Sequence, residues 1–484
     1  MTAPADQQAA YESAHSDVYA VIDRRFNETV AEIQRFIRQP GFSHTGEGIR
    51  ETAEMALDYV RTLDPIEAEL VETEGNPVVY GKVLSKNPKA KTLIAYSLYD
   101  VVPVKPEEWT FPPLSAEIVD AQQIRLPERM GKVMVGRGTH NQRGPMLAFV
   151  RVLQAMKEAT GDIPVNVLFA WEGEEEIGCP NLPQFVYKKL DDLKTADAFY
   201  MPSMREDENG TLIINRGYKG KVNVEIEIAG GEWGGTLDGK DLWSGNTAWV
   251  DAPLHRMIRL LDTLVDEDQK ATIDGFWENV RPLNDEEEEN LRVMRERFDE
   301  QAIKDSLNIS QFLNGKPGRD LLADYYVGPV VNIGGVVGGY QGPKVFTLQG
   351  QRIVAKIDMR LVPNQRSQEI VDKLRAHLDR NGFPEAQIRV FGTYEWSRTS
   401  AKEDIYQAAI RVAERHGKEY QIWPTTPAVG PIGYFNVDPL QVPCIFAGTG
   451  HGWRAHMADE YIIVEDIREN MRFVADFLYE WASM

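Results

Sequence analysis

The chain opens with two helix-forming stretches. Apolar residues fall at Val18, Val21, Ile22, Phe26, Val30, Ile33, Phe36 and Ile37, and again at Ile49, Ala53, Leu57 and Val60. Steps of three and four put each set on one helix face, so the spacing predicts helices over about 17–39 and 46–63. Four apolar runs then read as buried strands: VVYGKVL, TLIAYSL, VNVLFAW and ADAFYM. A helical pattern, PMLAFVRVLQAMKEA, lies between the second and third. Strands that alternate with helices build an α/β layer around a mostly parallel sheet.

The pattern changes near residue 216. GKVNVEIEIAG alternates apolar and polar positions, as a strand with one solvated face does. Helical stretches at DAPLHRMIRLLDTLV and SQEIVDKLRAHLDR and strands at VVNIGG and QRIVAKIDMRL follow, which fits a separate α+β module. DIYQAAIRVAERHG, VPCIFAG and DIRENMRFVADFLYEW then restore the first pattern. The fold class expected is α/β, with a mostly parallel-sheet domain over 1–215 and 399–484 and an inserted α+β domain over 216–398. The acidic run DEEEEN at 285–290 is read as a solvated helix face.

Composition narrows the partners. A length of 484 residues allows two to three domains with ample core. A formal net charge of -21 argues against nucleic acid or an anionic membrane, since both select a basic surface. The two cysteines, Cys179 and Cys444, suit a reducing compartment better than a disulfide framework. The start, MTAPADQQAAYESAHSD, lacks the apolar centre of a signal peptide, and no run approaches 18 apolar residues. A soluble, cytoplasmic protein is expected.

The run TLIAYSLYDVVPV raises the question of chemistry. A buried strand ending at Asp100 places that carboxyl where α/β sheets carry their sites. Leu98, two positions back, shares its face. Three more polar segments follow strands or close loops: GRGTHNQRGP at 136–145, WEGEEEIGC at 171–179 and GTGHGWRAHMADE at 448–460. With SLYDVVP at 97–103 they resemble, in order and spacing, the M20 family of dinuclear zinc peptidases and amidohydrolases. The resemblance runs nearly end to end and takes in NIGGVVGGYQGP at 332–343 and KIDMRLVPNQ at 356–365.

The resemblance implies that the inserted domain is a lid and dimerisation domain, and that the protein is a homodimer acting on a small carboxylate-bearing substrate. In the family, two metal ions share a bridging carboxylate and polarise the scissile carbonyl, while a glutamate takes a proton from water. Glu175 matches that general base, Glu176 and His456 match metal ligands, and Asp100 matches the residue that orients a histidine ligand. The histidine itself is replaced by Leu98, the bridging acid by Asn141 and a further acidic ligand by Ser203. One metal is left with no anionic or imidazole ligand. The other keeps Asn141, Glu176 and His456, a set suited at best to one weakly held divalent ion. The family's lid histidine is here Trp243, and a serine that helps hold the substrate carboxylate is here Val429. Arg360 is retained and can grip a carboxylate bidentately. His140, beside Asn141, is a candidate acid, base or substitute ligand, whereas Cys179 and His451 read as structural.

Three functions stay open on this reading. The first is a C–N bond hydrolase of altered, metal-independent chemistry, using Glu175, Glu176, Asp100, His456 and His140, with Arg360, Asn141, Ser203 and Trp243 around the substrate. The second is a mononuclear peptidase or N-acyl amino acid hydrolase. The third is a silent protein that binds a small carboxylate.

Overall fold

A computed structural model describes residues 5–344 and 346–484, so the first four residues of the polar N-terminal stretch lie outside it. The strands of the two principal sheets begin with β1 (Glu67–Val71), β2 (Val78–Val83), β3 (Thr92–Leu98), β4 (Asn166–Glu172), β5 (Ala198–Pro202) and β6 (Leu212–Asn215). β7 (Tyr218–Ala229), β8 (Val330–Gly338), β9 (Arg352–Leu361), β10 (Gln387–Tyr394), β11 (Tyr420–Trp423), β12 (Thr426–Val429) and β13 (Cys444–Ala447) follow. The chain forms two compact units. One comprises Met1–Arg216, Thr399–Trp423 and Tyr434–Met484, and the other Gly217–Arg398 and Pro424–Gly433.

The larger unit is built on an eight-stranded sheet of order β1-β2-β4-β3-β5-β13-β6-β11. β3 runs parallel to β4 and to β5, and β13 runs parallel to β5. Four adjacent strands therefore end on one rim, which is where open α/β sheets bind their ligands. β3 and β4 are apolar and buried almost throughout because helices cover the sheet. The helices Ala5–Arg38, Arg143–Thr160 and Val464–Ser483 pack on one another, and Phe36, Phe149, Phe169 and Phe477 join the strands in one core. Burying each such side chain stabilises the fold by roughly 1.5–3 kcal/mol. A second, small sheet pairs Lys132–Val135 antiparallel with Tyr461–Ile463. Just beyond it the Gly136 N–H donates to the Glu460 carbonyl at 2.9 Å, which brings loop 136–142 beside loop 451–460.

The smaller unit has the antiparallel order β8-β9-β7-β10, with β12 joining β7 in parallel. The alternation of β7 is realised as one buried face, Val222, Val224, Ile226 and Ile228, and one half-buried polar face. Met257 and Leu260 of helix Pro253–Leu261 and Ile370 and Leu374 of helix Ser367–Arg380 cover the apolar side. The segment Pro424–Gly433, which no periodicity marks in the sequence, lies with this unit through β12.

The acidic run corrects one expectation. Its helix, Asp285–Glu296, does expose Asp285, Glu288 and Glu289, but Glu287 is turned inward and 1% exposed. The Glu287 and Asn284 side chains each accept the other's backbone N–H at 3.0 Å, a capping box that closes the helix start. The same carboxylate takes Arg281 at 2.7 and 2.9 Å and also the Arg398 guanidinium. Arg398 lies 111 residues away, so the charge run gives no sign of this burial. Desolvation opposes ionisation, yet the two arginines hold the Glu287 carboxyl below the usual range. Removing the charge strands two guanidiniums, so Glu287→Gln should lower stability by about 3 kcal/mol in urea unfolding at neutral pH. The wild-type advantage should fade as the pH falls through the carboxylate range, because protonation then abolishes the same pairs.

Candidate active site

Asp100 stands two residues past the end of β3 and is fully buried. One carboxyl oxygen accepts the Glu176 N–H at 3.0 Å. Burial above all, and then the Glu176 charge, pushes its pKa up to about 7. Leu98, 1% exposed, lies opposite Glu172 in the β3–β4 register. Glu172 is buried too, and it accepts hydrogen bonds from the Tyr96 hydroxyl and, at 3.2 Å, from the Cys179 thiol. Burial raises its pKa to about 8. Two carboxyls under the rim thus keep protons close to neutral pH.

The loop after Val135 is shaped by Glu460, which is fully buried. One of its oxygens accepts the His140 and Asn141 N–H groups at 3.0 and 2.8 Å. The other takes the Gly138 N–H at 3.1 Å and the Arg137 guanidinium at 2.7 Å. So held, Asn141 donates its amide N–H to Glu176 Oε1 at 2.8 Å. His456 Nε2 lies 3.0 Å from Glu176 Oε2 and 3.1 Å from Asn141 Nδ2. The carboxylate favours a proton on that nitrogen, and the hydrogen bond to Glu176 raises the His456 pKa. Arg454, His456 and Asp459 all adopt positive φ, at 61°, 65° and 56°. Non-glycine residues in that region are strained by about 1–3 kcal/mol each, a feature concentrated at functional sites.

The remaining sequence-derived positions differ in surroundings. Ser203 is buried, donates to the Met201 carbonyl at 3.0 Å and receives Gln142 Nε2 at 3.3 Å. His140 keeps a buried Nδ1 with no hydrogen-bond partner among the described residues, and burial together with Arg205 lowers its pKa to about 3, so the neutral ring is favoured. Glu175 opens a short turn after Glu174 and is half-buried. Arg143, fully buried, donates to the carbonyls of Tyr99 at 2.8 Å and Gln39 at 2.6 Å and lends its charge to Asp100 and Glu460. Two residues belong to the smaller unit. Arg360 engages Asp358 through Nε at 2.9 Å and Nη2 at 2.8 Å. Trp243, 61% exposed, lies in a two-residue strand paired with Leu348–Gln349.

Among the described residues no group of three or more His, Cys, Asp or Glu side chains is placed to hold a metal ion. No helix among them is long and apolar enough to cross a membrane. Residues 95–480 match the model of Peptidase family M20/M25/M40. The chain belongs to that family. Its membership makes it a hydrolase of C–N bonds. Among curated relatives, the Cys-Gly metallodipeptidase DUG1 of Candida albicans is 25% identical over 384 residues, 72% of each chain. The human Beta-Ala-His dipeptidase is 24% identical over 63% of this chain and 56% of its own. The M20 family metallo-carboxypeptidase Sso-CP2 of Sulfolobus solfataricus is 30% identical, with a TM-score of 0.84 over 94% of this chain and all of that one.

Seen in this family frame, the rim brings Asn141, Glu176 and His456 into mutual contact and sets Asp100 behind Glu176. Sequence reasoning missed Glu460, Glu172, Tyr96, Arg137 and Arg143, which form the buried polar layer beneath. A charged residue inside an apolar run, as at Glu172 after VNVLFAW, was the available signal. The raised Asp100 pKa has a stability consequence. From the unperturbed 3.8 up to about 7 the folded state holds the proton more tightly than the unfolded chain, so stability falls as pH rises through that window. Asp100→Asn should remove this dependence. Between pH 5 and 8 it should lose less stability than the parent, by on the order of 2 kcal/mol in urea unfolding; identical slopes would contradict the assignment.

Proposed function

We propose that this M20 enzyme hydrolyses the amide bond of small amino-acid-derived carboxylates, dipeptides or N-acyl amino acids, without the dinuclear centre that its family resemblance implies. The contact triangle of Asn141, Glu176 and His456 carries the reading. The donor set does not fit two ions: Leu98 offers no lone pair, Ser203 is turned to a backbone carbonyl, and Asn141 presents an N–H to Glu176. In place of cations, the Asn141 amide, which has a second N–H beyond the one given to Glu176, is a donor suited to a developing oxyanion, and His456, whose pKa Glu176 raises, adds positive charge beside it. Glu175 takes the proton of the attacking water, the carbonyl carbon gains the hydroxyl, and the C–N bond breaks as Glu175 returns the proton to the leaving amine. Arg137 and Arg143 supply fixed positive charge to the acidic rim. Arg360 is assigned to the substrate carboxylate and Trp243 and Ser203 to its surroundings, with the smaller unit as a lid. Ile333, Val336 and Val337 are 38%, 41% and 50% exposed on β8, an edge strand, which supports homodimerisation through that unit.

The names of the curated relatives favour a second reading. Several are metallodipeptidases, and the same three residues lie close enough together to bind one ion. Both readings meet one experiment on protein purified without chelator, assayed against dipeptides including Cys-Gly and β-Ala-His. Metal-independent chemistry requires turnover that survives EDTA in protein with substoichiometric metal by mass spectrometry. Turnover lost to EDTA and restored by one equivalent of zinc or manganese would select the mononuclear reading. In either case Glu175→Gln should lower kcat by roughly 10²–10⁴-fold, the range of general-base catalysis.

A further inference from the structure

Lys219, the second residue of β7, is 2% exposed. Its ammonium donates to the Gly328 carbonyl at 2.5 Å and the Asp324 carbonyl at 3.3 Å. Three N–H groups are available on an ammonium, so one remains. Among the described residues Lys219 forms no ion pair. The charged groups that face it are Arg360 and Arg398, both of its own sign, and Asp324, whose opposing effect is the smallest. Glu287 already serves Arg398, and Asp358 takes only one edge of Arg360. A buried cation with cationic neighbours and no ion pair among the described residues is a costly arrangement. It occurs in a chain with 74 acidic and 53 basic residues, where carboxylates are not in short supply.

Register shows what the arrangement offers. Lys219 and Lys221 share a face of β7, and Lys221 lies opposite Arg360 on β9. Arg360 is thus the diagonal neighbour of Lys219, about 7–8 Å away on the same face, within reach of two long side chains converging on one small anion. On the other side β12 places Val429 opposite Lys219, and an isopropyl group gives an anion nothing to bind. We propose that Lys219 and Arg360 together hold one carboxylate, and that Lys219 is the residue that selects it over a neutral amide. This rests on the proposed carboxylate substrate, and every group in it lies within the smaller unit. Desolvation, reinforced by Arg360 and Arg398, brings the Lys219 pKa down to about 7. An anion bound there must raise it, so binding above neutrality takes up a proton.

The test is calorimetric titration at pH 7.5 of the Glu175→Gln variant with N-acetyl-L-alanine and with its neutral amide, in phosphate and in Tris. The carboxylate should bind at least tenfold more tightly, with heats in the two buffers that report uptake of a fraction of a proton. Adding Lys219→Met should reduce the discrimination tenfold or more and abolish the uptake. Adding Lys219→Arg should keep the discrimination without the uptake, because a guanidinium does not titrate there. Carboxylate binding without proton uptake in the Glu175→Gln variant, or discrimination that survives Lys219→Met, overturns the proposal even if the methionine variant folds poorly, since the first observation needs no change at Lys219. Proton-linked binding in a protein that cleaves no amide would instead leave this site standing and remove the hydrolase reading. Turnover of carboxylate substrates without proton-linked binding would do the reverse.

Discussion

The carboxylate of Glu460 is the constraint on which the site depends. It is fully buried and gathers three backbone N–H groups and the Arg137 guanidinium around itself. A buried charge with that many donors fixes the path of residues 137–141, since each donor released would leave an unsatisfied group in a medium of low dielectric. Asn141 and His456 acquire their positions from it. The first follows directly on the tethered loop, and the second precedes Glu460 by four residues in the loop that the same carboxylate anchors. The contact of Asn141, His456 and Glu176 is in this sense a consequence of a residue that touches none of the three side chains.

Beneath the rim the electrostatics rest on burial and a few guanidiniums. Asp100 and Glu172 sit in full burial and retain protons near neutrality, which limits the negative charge that the glutamate-rich turn would otherwise concentrate. Arg143 offsets part of the rest from inside the fold, anchored on backbone carbonyls rather than on a carboxylate, so its charge remains available to its surroundings. The two units handle buried charge differently. Glu287 in the smaller unit is matched by two arginines, whereas Lys219 in the same unit gives its hydrogen bonds to backbone carbonyls and forms no ion pair among the described residues.

The architecture was legible because hydrophobic periodicity records burial. The apolar strands β3, β4 and β5 and the strict alternation of β7 are local signals, and each corresponds to a strand in the structure. Placing Pro424–Gly433 needed more, because a four-residue strand carries no period of its own and joins β7 only through pairing. Glu287 shows the same limit for charge. A run of acids looks solvated until partners distant in sequence take one of its members inside.

Sequence by itself determined the family, the α/β class and the identities at 98, 141 and 203, since side-chain chemistry needs no coordinates to exclude a lone pair from leucine. Tertiary structure decided what those identities mean. It set Asn141 Nδ2 against Glu176, raised the pKa of Asp100 and Glu172 by burying them, tied the loop to Glu460, and left Lys219 without an ion pair among the described residues. The physical reason is that pairing, desolvation and hydrogen-bond geometry depend on which groups meet in space. Residues 141, 176 and 456 meet only because two sheets bring their loops to one place.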